Sequence, residues 1–261
     1  MPFTSGNASD LSRHSNTQAL RHPLRITIDG PAGVGKSTVA KLLAKRLGLM
    51  YLDTGATYRV LAYAALLRRV DPHDERRLVP LARSLRLSLR WSSSGGLAVL
   101  LNGRDVSRSI RTEWVTEVAA VVAQQPRVRA TMVRLQRQLA GKRDVVTEGR
   151  DTGSIVFPAA PHKFFLTASA RVRAKRRHLE LARLLGRAPA LAVITRQLQE
   201  RDQRDCTRKA GPLTVPKGAH IIDTSQLKAA EVVRRILAYL PKCASQAPQS
   251  DGDAHACSSS P

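Results

Sequence analysis

The chain has 261 residues, 43% of them hydrophobic, with 43 Lys and Arg against 20 Asp and Glu for a formal net charge of +23. That length supports one substantial domain with a buried core, and no run approaches the roughly 18 apolar residues of a membrane span. The first 24 residues lack the apolar centre of a secretory signal, and Cys206, Cys243 and Cys257 show neither metal nor redox spacing, so a cytoplasmic protein without a disulfide framework is expected.

Residues 1–24, rich in Ser, Asn and Thr, read as a disordered extension, as does 242–261 at the other end. The charge excess lies between them, because Arg13 and Arg21 face Asp10 in the first stretch and Lys242 faces Asp251 and Asp253 in the last. A basic domain over 25–241 attracts polyanions, whether nucleotide, nucleic acid or anionic membrane, without choosing among them.

The β-rich run "LRITID" (24–29) predicts a buried strand. It leads into Gly30, Pro31, Ala32, Gly33, Val34, Gly35, Lys36, Ser37 and Thr38, which fit the phosphate-loop pattern G-x-x-x-x-G-K-[ST]. A helix follows to about Gly48, so the motif has the strand before it and the helix after it that phosphate binding demands. Glycines let backbone N–H groups close around phosphate oxygens, Lys36 reaches the β and γ phosphates, and the Ser37 hydroxyl is placed to ligate Mg²⁺. ATP and Mg²⁺ are therefore expected, while a GTPase, a motor, a helicase and a small-molecule kinase all stay open at this point.

Next comes "YLDTGATYR" (51–59), a turn and a new helix that Asp53 or Thr54 caps, with Arg59 in its first turns. The segment from about 70 to 110 departs from the strand–helix alternation. Its runs "LRLSLRW" (85–91) and "LAVLLNG" (97–103) flank "SSSGG" as in a hairpin, and predict a small β-containing insert. "DVVTEG" (144–149), "HKFFLTAS" (162–169) and "GAHIIDTS" (218–225) are further strand candidates associated with helical stretches. The fold class is thus α/β: a central parallel sheet flanked by helices. Glu148 stands where an acid near Mg²⁺ is often kept. Arg150 and Asp151 follow at a strand's carboxyl end, where open α/β sheets bind ligands. Taken as one helix, residues 191–208 carry Leu191, Ile194 and Leu198 on a stripe that continues into Arg201, Asp205 and Arg208. Arg204 flanks this stripe, and Asp202 and Gln203 point elsewhere. Desolvated arginines need anionic partners, and phosphate suits the guanidinium fork.

In this order and spacing, "ITIDGPAGVGKST", "LDTGATYR", "PRVR" (126–129), "EGRDTGSIVFP" and "ERDQRDCTR" resemble bacterial cytidylate kinases over roughly residues 25–240. The resemblance implies a P-loop kinase that phosphorylates CMP and dCMP with MgATP. It implies an acceptor site of Thr54, Arg59, Arg129, Arg150, Asp151, Arg201, Asp205 and Arg208, with Lys36, Arg201 and Arg208 acting in catalysis. It also implies that the insert at about 70–110 is an enlarged acceptor-side domain. Residues 171–208 become a helical lid with Arg173, Arg176 and Arg177 near the triphosphate. Some relatives place a serine nine residues after the "IRT" arginine to help read cytosine, whereas Ala119, Ala120 and Val121 stand here after Arg111. The rival readings are a P-loop kinase for UMP, AMP or another small acceptor, and a nucleic-acid-binding ATPase. With only 4% aromatic residues, stacking platforms for single strands are scarce, so no specific nucleic-acid partner and no membrane partner are expected. A monomer is the default.

Overall fold

The apolar run after Leu24 becomes the middle strand of the molecule. The computed structural model describes residues 23–91 and 97–241, and in it Arg25–Asp29 (β1) buries Ile26, Thr27 and Ile28 completely. Burial on both pleated faces is what a strand covered by helices on either side requires. Lys36–Leu47 (α1) follows, with Val39, Ala40, Leu43, Ala44 and Leu47 on its buried stripe. Gly48 ends it in left-handed backbone at φ 63°, and the Leu49 amide donates to the Ala44 carbonyl at 2.9 Å to close the last turn.

Met50–Asp53 (β2) is a strand that the sequence reading did not include. Four residues between a helix stop and a helix start show no periodicity of their own. Thr54–Leu67 (α2) begins on Asp53, whose carboxylate accepts the Ala56 amide at 2.8 Å, so Asp53 rather than Thr54 is the cap. After Glu75–Ser84 (α3), the strands Leu87–Trp91 (β3), Leu97–Leu101 (β4) and Arg104–Asp105 (β5) form a separate antiparallel sheet in that order. Leu87 opposes Leu101 and Leu89 opposes Val99, so alternate residues of both strands share one face. The expected "SSSGG" turn at 92–96 lies outside the described residues, as do the two terminal extensions except for residues 23 and 24.

The chain then makes Glu113–Val122 (α4), Pro126–Ala140 (α5), Val145–Gly149 (β6), a π-helical turn at Thr152–Val156 and His162–Thr167 (β7). Ala170–Leu185 (α6), Leu191–Thr207 (α7), His220–Asp223 (β8) and Ala229–Ala238 (α8) complete it. The main sheet has the order β2-β6-β1-β7-β8 and every neighbouring pair is parallel. From β1 the chain steps to one side to make β2, and from β6 it crosses to the other side to make β7. The carboxyl ends of β1 and β6 therefore sit where the winding reverses, the place where such sheets hold ligands. Ile28, Leu43, Leu61 and Phe164 are fully buried around this point, each contributing about 1.5–3 kcal/mol of apolar burial. No helix among the described residues is long and apolar enough to cross a membrane.

Candidate active site

One continuous cleft of about 980 Å³ runs along the carboxyl ends of the strands, from the phosphate loop at one end to α4 and the first turn of α5 at the other. Ala32 to Val39 line its first end. Gly30 turns away from β1 at φ 145°, and a Cβ there would sit 2.2 Å from the Leu166 carbonyl oxygen. Only glycine allows that approach. Gly35 caps α1 with left-handed backbone and no side-chain hydrogen bond, and no acid occupies the first turn of α1. The N-terminal donors of α1 are thus left to an anion.

The loop's carbonyls are held from outside. Lys36 Nζ donates to the Pro31 oxygen at 2.6 Å, and Arg173 donates to Ala32 at 3.2 Å. Val34 accepts from Arg176 at 3.2 Å and from the Thr224 hydroxyl at 3.0 Å. With the carbonyls drawn outward, the N–H groups are free to form an anion-binding concavity. Lys36 is buried, and burial together with repulsion from Arg150 pulls its pKa down to about 7, against the opposing pull of Glu148. Ser37 presents an exposed side chain to the cleft. Glu148 also lines it and accepts the Tyr51 hydroxyl at 2.8 Å. No cluster of three or more His, Cys, Asp or Glu side chains suited to a metal occurs among the described residues. The donor set is therefore one hydroxyl with an acid behind it. That fits Mg²⁺ held largely by the phosphates of a nucleotide and by water, rather than by an all-protein cage.

Between the two ends, Asp29 is fully buried and accepts the Thr152 amide and hydroxyl, both at 2.8 Å, and the Gly153 amide at 2.7 Å. Its burial raises its pKa despite these donors. The last residue of β1 thereby fastens the turn that carries Arg150 and Asp151 beside the phosphate loop. Arg137 donates to the Val156 and Ile155 carbonyls, each at 2.8 Å, and closes the π-helical turn from its far end.

The other end gathers arginines from five segments. Pro126 at the start of α5 puts Arg129 in the first helical turn, where its buried guanidinium donates to the Ala123 carbonyl at 3.1 Å and pairs with Asp151. Arg208 lies 3.6 Å from both Asp151 and Asp205, and its Nη2 has no hydrogen-bond partner. Arg150 donates to Asp205 at 2.8 Å. Burial would raise the Asp205 carboxyl, but Arg150 and Arg201 outweigh it and hold it below its ordinary range. Arg59 pairs with Asp53 at 3.0 Å while its Nε is buried without a partner. Thr54 is buried and spends its hydroxyl proton on the Glu148 carbonyl at 2.7 Å, which joins β2 to β6. Arg201 stands apart. Burial and the nearby Arg150 lower its pKa to about 10, and no hydrogen bond or ion pair from it is found among the described residues. With Arg111 and Arg204, which also line the cleft, arginines outnumber the three aspartates of this end (Asp53, Asp151 and Asp205).

The structure brings every residue singled out by the sequence for phosphate, acceptor or Mg²⁺ binding to this cleft or its immediate wall, with two changes of reason. Leu191 is exposed, so the buried stripe of α7 starts at Ile194. The helix ends at Thr207, and Arg208 reaches the site through extended backbone at φ −62° and ψ 140° rather than by helical register. Arg173 turns to the loop carbonyl and Asp202 instead of lining the cleft, whereas Arg176 and Arg177 do line it. Asp202, which the helical wheel sends away from the stripe, reaches the phosphate loop. Sequence reasoning missed Thr224, Leu227, Ala229 and Val232, which with Leu198 line the cleft beside the phosphate loop. These residues carry no signal beyond that of a strand end and a helix start. At the opposite end Thr116, Ala119, Ala120, Ala123 and Gln124 of α4 and its end face the cleft. The position of the absent serine is therefore an apolar wall.

The family model for cytidylate kinase matches residues 26–242. The chain is 47% identical over 219 residues to a cytidylate kinase of Geobacillus sp. (strain WCH70), covering 84% of this chain and 96% of that one. A cytidylate kinase of Caldanaerobacter subterraneus subsp. tengcongensis is 45% identical over 213 residues, with 82% and 92% covered. One from Vibrio cholerae is 44% identical over 220 residues, with 84% and 96% covered.

Proposed function

This chain belongs to the cytidylate kinase family, and we infer that it transfers the γ-phosphoryl group of MgATP to the 5′-phosphate of CMP or dCMP, yielding the diphosphate and ADP. One observation carries the reading: an excess of arginine over aspartate at the acceptor end, facing an uncapped phosphate loop across one cleft. A nucleoside monophosphate brings negative charge on its phosphate, which such an excess attracts.

An oxygen of the acceptor phosphate attacks the γ-phosphorus in line, and the bond from that phosphorus to the β–γ bridging oxygen breaks as ADP leaves. The acceptor oxygen is ionised at neutral pH, so no general base is needed. What opposes reaction is the approach of two polyanions, which makes catalysis a matter of positioning and charge neutralisation. Lys36 moves from the Pro31 carbonyl to the β and γ phosphates, and this contact restores its charge. Arg201, with no hydrogen bond of its own among the described residues, and Arg208, whose Nη2 makes only a 3.6 Å ion pair with Asp151, take up charge on the group in transit and on the acceptor phosphate. Arg59 and Arg150 hold that phosphate, Thr54 and Asp205 order the wall on which the acceptor's ribose rests, and Arg129 with Asp151 faces the base. Ser37, with Glu148 behind it, would hold Mg²⁺, which would supply further charge neutralisation on the donor's phosphates. Helices α6 and α7 serve as the lid that excludes water, and the β3–β5 insert belongs to the acceptor side. The same reading takes the enzyme as a cytoplasmic monomer. It is supported by the cytoplasmic location of nucleotide pools and by the scatter of exposed apolar side chains such as Leu42, Leu67, Trp114 and Tyr239 over separate helices and turns.

A coupled assay over CMP, dCMP, UMP and AMP tests the assignment. CMP and dCMP should give the highest kcat/KM, with some UMP turnover because alanines line the α4 wall. AMP or UMP outrunning CMP, or ATP hydrolysis stimulated by RNA with no nucleotide acceptor used, would refute it.

A further inference from the structure

Asp202 stands next to Arg201 on α7 but about 100° around the helix, so it faces the phosphate loop and not the acceptor. One carboxylate oxygen accepts the Ala32 amide at 3.4 Å, and the other pairs with Arg173 of α6. Arg173 in turn donates to the Ala32 carbonyl at 3.2 Å, so both polar groups flanking Ala32 end on one part-buried ion pair. Apolar contacts surround it, because Ala32, Ala174, Ile194 and Leu198 form a small cluster of their own joining loop, α6 and α7. Gly33, at φ 78°, lets the loop pass close to α6: a Cβ there would lie 3.1 Å from the Arg173 Cβ.

We infer that Asp202 is a positioning residue of the donor site, which through Arg173 and Ala32 holds the front of the phosphate loop open to the triphosphate and ties it to α6 and α7. The reasoning turns on Lys36. Without a triphosphate, Lys36 itself braces the loop through the Pro31 carbonyl. When Lys36 turns to phosphate that brace is lost, and the stretch Pro31–Gly33 is left with the Asp202–Arg173 joint as its polar anchor. Closing the helices over the triphosphate and shaping the loop to receive it then become one movement. The proposal rests on the loop's taking MgATP, and not on the identity of the acceptor.

Its test is MgATP binding by calorimetry without acceptor, with CMP binding measured separately, for D202N, R173M, D202E and the D202N/R173M double variant. Thermal melts accompany each. Asparagine keeps the shape and one acceptor but removes the charge-assisted pair, so D202N should weaken MgATP binding by about 10- to 100-fold and CMP binding less than about twofold. R173M should do the same, the double variant should bind no worse than the weaker single variant, and D202E should recover part of the loss. Wild-type MgATP affinity in D202N, equal weakening of both ligands, or additive effects in the double variant would each overturn the proposal. Should D202N fail to fold, R173M and D202E carry the same comparison. Because no acceptor enters the MgATP measurement, failure of the CMP assignment would leave this result standing.

Discussion

A buried lysine whose pKa lies near neutrality makes donor binding depend on pH, with a sign that follows from its burial. In the free protein, burial first and the Arg150 guanidinium second pull Lys36 to about 7 from its ordinary 10.5. Lowering the pKa of a cation favours its neutral form, so the neutral fraction grows as pH rises through 7. A triphosphate needs the charged form and keeps it charged. Above pH 7, binding must therefore take up a proton. The affinity seen is the intrinsic one multiplied by the competent fraction, about one half at pH 7 and about one hundredth at pH 9. The MgATP Kd should consequently weaken about 50-fold between these values, or about 2.3 kcal/mol at 1.36 kcal/mol per pH unit. Calorimetry in two buffers of different ionisation enthalpy should show close to one proton taken up at pH 9, and K36M should bind weakly with no pH dependence. A Kd constant within twofold from pH 7 to 9 would refute the reasoning. It would mean that Glu148 and Asp29 fully offset the burial of Lys36 and its repulsion by Arg150.

Two further substitutions separate charge in transit from charge in the wall. Arg208→Ala leaves Asp151 paired with Arg129 and Asp205 paired with Arg150. The melting temperature should therefore stay near wild type while kcat falls about 10³-fold or more, as measured by the coupled assay; near wild-type turnover would end its catalytic assignment. Asp151→Asn does the opposite. It leaves Arg129, more than 90% buried, without its direct counter-charge and Arg208 with Asp205 alone, at a cost of about 3–5 kcal/mol. With roughly 2–4 °C lost per kcal/mol in a domain of this size, the melting temperature should drop by about 6–20 °C. An unchanged melt would show that Asp205 already neutralises the cluster.

The parts of the site that could be read from sequence are those whose chemistry is local. The phosphate loop is one unbroken segment, and its strand, glycines, lysine and helix appear in the order in which they work. Arg201 and Asp205 could be placed because a helix converts spacing into direction. Register failed at the two ends of the same helix. Leu191 is exposed although it fits the stripe, whereas Ile194 one turn on is buried, and Arg208 arrives through extended chain after the helix has stopped. Asp202 shows a different limit. The helical wheel correctly removes it from the leucine stripe, but α7 has protein on more than one side, so off the stripe did not mean in solvent. β2 was passed over for want of length, since four residues between two helices leave no room for alternation to show.

Net charge illustrates how far composition reaches. A total of +23 says that polyanions are attracted, and it cannot say where. Most of that charge is on exposed arginines and lysines, where salt screens each one within about 10 Å. On the proposed function, the charges that matter are those gathered in one cleft: an excess of arginine over aspartate at one end, and one buried lysine at the other. Their excess matters because it is held in a fixed geometry inside the cleft. The same excess on the surface would be neutralised by counterions. Identical composition with Arg201 turned outward would keep the net charge and lose the site, so the arrangement of α7, and not the basicity of the chain, is what selects the ligand.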